Sequence, residues 1–216
     1  YNLEKENNML KIFSFTLLII SFVLISCAKK DDDSKAATTY ATSKSGATAS
    51  GTITMGNYKM SGTYATLCAD ASPLSAKPTN TTYFGFALVV TGSSSFTREL
   101  NYYTDSACTT LSAGWYFNND NVTDQGPTAS DSTANEKVSF NQINQQLFAN
   151  TTEGKTFFDT LFGSGMDVTV GTAFVATSGT TFYNLIKMVS DTNLYYGNPS
   201  GTDYPSTSPE AEYVKQ

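Results

Sequence analysis

Cysteines at positions 27, 68 and 108 are the residues of this chain best suited to covalent chemistry, and histidine is absent. Without an imidazole the chain lacks the commonest general base, the commonest transition-metal ligand and the usual nucleophile triads. Glu99, Asp105, Asp159 and Asp167 could pair as the acid and base of a glycosidase, but no motif brings two of them together. Solvated surface carboxylates are the default expectation. The run Asn118-Asn119-Asp120-Asn121-Val122-Thr123-Asp124 is oxygen-rich enough to suggest calcium, yet Val122 breaks the alternating ligand spacing, and a solvated turn is expected instead. No catalytic residue, metal ligand or cofactor is assigned, and the chain is not read as an enzyme.

Cys27 stands at the end of an apolar run covering residues 12–25. A helix of that length spans about 21 Å, short of the roughly 30 Å hydrocarbon core, so it suits a signal peptide better than a permanent span. Met9-Leu10-Lys11 supplies the start and positive charge such a leader needs; polar residues 1–8 read as extra to it. Leu24-Ile25-Ser26-Cys27 resembles the lipobox of bacterial lipoprotein signal peptides at every position. The resemblance implies diacylglyceryl transfer to the Cys27 sulfur, cleavage after Ser26 and a mature chain hanging from a bilayer by its lipids. The expected layout is a signal peptide over residues 1–26, a lipidated cysteine and tether over 27–51, and one folded domain over 52–216.

Ala28-Lys29-Lys30-Asp31-Asp32-Asp33-Ser34 reads first as a solvated charge run. Ala28 beside the cysteine resembles the outer-membrane choice of two-membrane bacteria, and lysine followed by an acidic triplet resembles the signal some of them use for surface export. The expected location is the outer membrane, on its periplasmic face or at the cell surface. Residues 34–51 are nearly all Ala, Ser, Thr, Gly and Lys, a tether too poor in apolar groups to bury anything.

Only 15% of the residues are charged, against 13% aromatic, with 13 Tyr and 14 Phe set among Thr, Ser, Gly and Asn. That mixture suits strands and turns. The net charge of −6, with no basic cluster in the folded part, argues against nucleic acid as a partner. Tyr58, Met60, Gly62, Tyr64, Thr66 and Cys68 alternate as one face of a strand. Residues 82–91 and 96–104 read as a hairpin, the second strand alternating Phe96, Arg98, Leu100 and Tyr102. Residues 111–118 continue as a strand around Trp115, and 118–135 look like a long surface loop. Further strands are expected over 136–143, 167–177, 181–189 and 193–197, with turns at Gly179 and Asp191. Asn150 and Glu153 resemble a capping box for a helix carrying Phe157, Phe158, Leu161 and Phe162 and ending at Gly163. The proline-bearing tail from Asn198 is expected to lie over the surface. The fold class is all-β, a single antiparallel barrel or a sandwich with one short helix.

Ser61-Gly62-Thr63-Tyr64 with Cys68, and Tyr102-Tyr103-Thr104-Asp105-Ser106-Ala107-Cys108, resemble a pattern in uncharacterised bacterial lipoproteins with lipocalin-like barrels. There the first strand is bridged to the segment ending in cysteine, and strands like 182–189 and 194–197 follow. Lipocalins proper have Trp where this chain has Tyr64 and a late-strand Arg that it lacks, Arg98 being its one arginine. With Cys27 acylated, Cys68 and Cys108 remain in an oxidising compartment, and a disulfide between them is expected over two buried thiols. The resemblance implies a barrel interior that holds a small apolar ligand. By alternation Tyr58, Tyr64, Phe86, Leu100, Tyr102, Trp115, Phe182 and Ile186 point inward; Tyr64, Tyr102, Trp115 and Phe182 are the candidate ligand contacts. The alternative is a surface protein whose loops, chiefly residues 118–135, bind a macromolecular partner. A polar, loop-closed core favours the second reading, an open barrel with a continuous apolar interior the first.

Overall fold

The computed structural model describes residues 39–128, 135–163, 166–207 and 211–216. In chain order the strands are β1 (Ile53–Met55), β2 (Tyr58–Met60), β3 (Thr63–Ala65), β4 (Ala69–Asp70), β5 (Tyr83–Val90), β6 (Phe96–Tyr103), β7 (Leu111–Pro127), β8 (Glu136–Ala149), β9 (Ala173–Ser190), β10 (Asn193–Tyr196) and β11 (Ala211–Lys215). One helix, α1 (Thr152–Phe162), joins β8 to β9. Strands β5 to β11 pair antiparallel with their sequence neighbours, and β3 closes the ring by pairing with both β11 and β5. The result is a closed eight-stranded antiparallel barrel, not a sandwich.

Alternation along each strand sorts the side chains. Phe86, Leu88, Leu100, Tyr102, Trp115, Phe117, Phe140, Leu147, Phe182 and Ile186 share the interior with Tyr64, Leu194, Tyr196 and Tyr213. Burying one such side chain contributes roughly 1.5–3 kcal/mol. Both ends of the barrel are stopped. At one end β1 and β2 form a hairpin, Ile53 opposite Met60, that sends Ile53, Met55 and Met60 into the core. At the other, α1 lays Phe157 against Tyr102 at 5.3 Å between ring centres and Phe162 edge-on to Trp115 at 5.2 Å. Gly154 permits that docking, since a Cβ there would lie 2.6 Å from the Ser112 carbonyl oxygen of β7.

Several expectations change. The strand expected across residues 58–68 is broken: its first part belongs to the plugging hairpin, so Tyr58 is 37% exposed and does not point inward. The stretch after Asn118 is strand as far as Pro127, paired with β8 through Asn118–Asn144 and Thr123–Ser139. Its turn-forming residues show as three register shifts, after Asn118, around Asn121 (φ +51°) and around Gly126 (φ +86°); cross-strand pairing outweighs their local preference. Its oxygens are therefore distributed along a strand rather than gathered in a loop. β8 likewise runs on to Ala149, and β9 passes through Gly179 without turning. The helix cap is Thr151, whose hydroxyl accepts from Gly154 N at 3.1 Å. Asn150 donates instead to the Leu111 carbonyl, and Glu153 accepts from Asn80 Nδ2. The tail supplies β11, the strand that closes the barrel, with Tyr213 fully buried.

Residues 39–51, expected as a tether, are packed against the barrel. They run along the outer wall: Tyr40 bridges to Leu67, Ala41 N donates to Thr66 O, and Ser50 N donates to Val90 O. What holds this strap is polar, which is why a tally of apolar residues misses it. Glu99, 0% exposed on the outward face of β6, accepts from Ser43 Oγ at 2.6 Å, Ser45 Oγ at 2.5 Å and Lys44 N at 2.7 Å. Tyr103 Oη donates to Thr42 O at 3.0 Å. Cys68 and Cys108 are bonded beneath the same strap, their Cα atoms 6.1 Å apart.

Candidate functional site

Three consecutive strands send polar groups, and a fourth a phenylalanine, to one patch of the interior. Arg98 (β6) lies opposite Phe117 (β7), which is followed on the same face by Asn119; Gln142 (β8) and Phe182 (β9) complete the patch. β10 ends at Tyr196, and from there β9 has only the segment around Pro199 beside it, held by a two-way backbone bridge between Tyr183 and Ser200. Between that segment and the strands lies a cleft lined by Arg98, Phe117, Asn119, Phe140, Phe182 and Tyr196, among others. Its enclosed volume is about 20 Å³, room for one water-sized group.

Arg98 is the sole arginine of the sequence and forms the floor of this cleft. Its guanidinium carbon lies 4.9 Å from the ring centres of both Phe86 and Tyr196, and Nε donates to Tyr213 Oη at 3.5 Å. Among the described residues no carboxylate forms an ion pair with it; the only ion pair joins Lys155 and Asp159. Burial raises the Tyr196 and Tyr213 hydroxyls above the ordinary tyrosine range, with Arg98 pulling the other way, so both stay neutral. Ring faces stabilise a guanidinium by about 0.5–1 kcal/mol each at exposed sites and more where it is desolvated, and Arg98 is half-buried and stays charged. Its charge is open to an anion from solvent. Beside it, Asn119 is 3% exposed; its Nδ2 donates to Phe117 O at 2.9 Å, and its Oδ1 meets no donor among the described residues.

Of the four candidate ligand contacts from the sequence, only Phe182 lines this cleft. Tyr64 is fully buried and ties the barrel together, donating to the Asp191 carbonyl at 2.7 Å. Trp115 Nε1 donates to Gln145 Oε1 at 3.0 Å, and Tyr102 packs on the helix. Trp115 nevertheless reaches the cleft indirectly, its ring 5.3 Å from that of Phe117. Arg98 is the residue that reasoning from aromatics alone passes over. Its signal was its position, a cation on the apolar side of an alternating strand. The residue expected as a lipid attachment point, Cys27, lies outside the described residues.

The carboxylates are engaged separately. Glu99 holds the strap. Asp105 organises the turn into Cys108; burial pushes its carboxyl up, but N–H groups of Thr110 and Thr109 prevail and hold it down at about 2. Asp159 pairs with Lys155. No three potential metal ligands gather among the described residues. A larger open groove of about 440 Å³, lined by Asp70, Ser72, Lys77, Thr82 and Tyr83, lies outside the barrel. Its charged groups are satisfied locally, Asp70 by Ser72 N and Lys77 by the Thr81 carbonyl. The chain matches no known family, and no curated protein matches it.

Proposed function

We propose that this is a lipid-anchored binding protein of the bacterial envelope, held at the outer membrane through Cys27, that grips a small, partly apolar ligand at the cleft in its barrel wall. It works by binding rather than catalysis. The observation that carries this reading is the meeting of Phe117, Phe140 and Phe182 with an unpaired interior cation where the packed core reaches solvent. The ligand is gripped at one end, not enclosed, because the rest of the interior is filled and both ends are stopped. Trp115 is the one tryptophan and touches Phe117, so its fluorescence reports the site. Secreted chain with Cys27→Ser should show saturable quenching or enhancement with medium-chain fatty acids, quinones or sterol-like molecules. Fatty-acid metabolic labelling should mark the wild type and not Cys27→Ala. Label persisting on the Ala variant would overturn the anchor. The filled interior also favours a second reading, recognition of a macromolecular partner by the outer surface. A flat Trp115 response across the whole ligand panel would make that the better one.

A further inference from the structure

We propose that the Arg98 cleft is a site for the carboxylate end of a small amphipathic acid, whose apolar body stays outside the cleft mouth; this rests on the binding reading above. The size limits what enters: about 20 Å³ holds one water-sized group, so only a charged oxygen of the ligand reaches in and its body stays outside. Charge argues for the acid. A guanidinium faces the cleft with two aromatic faces and one phenol as neighbours and no anion among the described residues. A bound carboxylate would supply the missing charge through charge-assisted hydrogen bonds, the strong kind for which the guanidinium fork is shaped. Phe140 and Phe182, stacked with ring centres 6.1 Å apart, are only 3% and 6% exposed, so they line the cleft and leave the apolar body outside it.

Because the chain has one arginine, its Nε–H resonance needs no assignment. Secreted chain with Cys27→Ser, labelled with ¹⁵N-arginine, is titrated with decanoate, 2-hydroxydecanoate, decanol and acetate, with Trp115 fluorescence read in parallel. Both acids should move the Arg98 signal saturably, and decanol should bind at least tenfold more weakly than decanoate. Acetate should move the same signal at higher concentration. Arg98→Met should abolish the preference for decanoate over decanol, yet melt no lower than the parent, since it removes an unpaired charge from a packed interior. If decanoate and decanol perturb Trp115 equally and the Arg98 signal stays fixed, the carboxylate site is wrong while the apolar-ligand reading stands. If acetate moves Arg98 and no long-chain compound binds, the anion site stands and the apolar-ligand reading falls. Silence in every titration overturns both.

Discussion

Arg98 and Glu99 are adjacent in the chain, carry opposite charges and never meet, because the pleat of β6 sends one into the barrel and the other out through its wall. Inside, Arg98 lies between two aromatic rings with no carboxylate partner among the described residues. Outside, Glu99 is sealed under the strap with no ion pair among the described residues, the ammonium of Lys44 donating instead to the Thr109 carbonyl. One dipeptide thus produces both the candidate binding site and the lock that holds residues 39–51.

The strap should depend on the Glu99 charge. Its carboxylate accepts from two hydroxyls, two backbone N–H groups and Asn101 Nδ2. Glu99→Gln keeps the shape but replaces one acceptor oxygen with a donor. Hydrogen bonds to a charged group contribute about 1.5–3 kcal/mol each, so a loss of roughly 2–3 kcal/mol is expected in urea unfolding. Amides of Lys44 and Ser45 should exchange faster with solvent. Unchanged stability together with unchanged exchange would show that the strap holds without the charge.

The disulfide should matter to the same region. Cys68 and Cys108 are 40 residues apart, and removing a native bridge of this kind typically costs about 2–5 kcal/mol. Replacing both with serine should lower the thermal midpoint and loosen the strap, because Ala41 and Tyr103 pack beside the bridge. Intact mass of the exported protein under non-reducing alkylation checks the bond directly. Two alkylated thiols would contradict it.

Stability should fall as pH rises past the acidic range, through Glu136. Burial raises its carboxyl pKa, and the neighbouring Asp124 raises it further. Asp124 itself binds the tip of the plugging hairpin, accepting from Gly56 N at 2.7 Å. A carboxyl whose folded pKa lies above its unfolded value favours folding while protonated. That contribution is complete below the unfolded pKa and is lost as pH rises through the folded one. Glu136→Gln should therefore be at least as stable as the parent at pH 7 and show a flatter profile from the ordinary glutamate pKa of about 4.3 upward. A variant with the same pH slope as the parent would remove Glu136 as its source.

The sequence by itself determined the all-β character, the one helix and its aromatic face. These are local properties: alternation sets which side of a strand is apolar, and helical spacing sets the face of α1, whatever the rest of the chain does. Pairing the two cysteines of the folded part followed from how few there are. Placing Tyr64, Phe86, Leu100, Tyr102, Trp115, Phe182 and Ile186 in the interior also needed nothing beyond alternation. Only the tertiary structure decided that the barrel closes, because closure depends on β11, five residues of an otherwise turn-rich tail whose strand partners lie far away in sequence. It alone showed that residues 39–51 are bound, since the binding is done by a carboxylate about 55 residues distant rather than by apolar area. And it moved the candidate site from aromatic side chains to Arg98. Alternation can say that a cation faces inward; whether a carboxylate waits there is a fact about other strands.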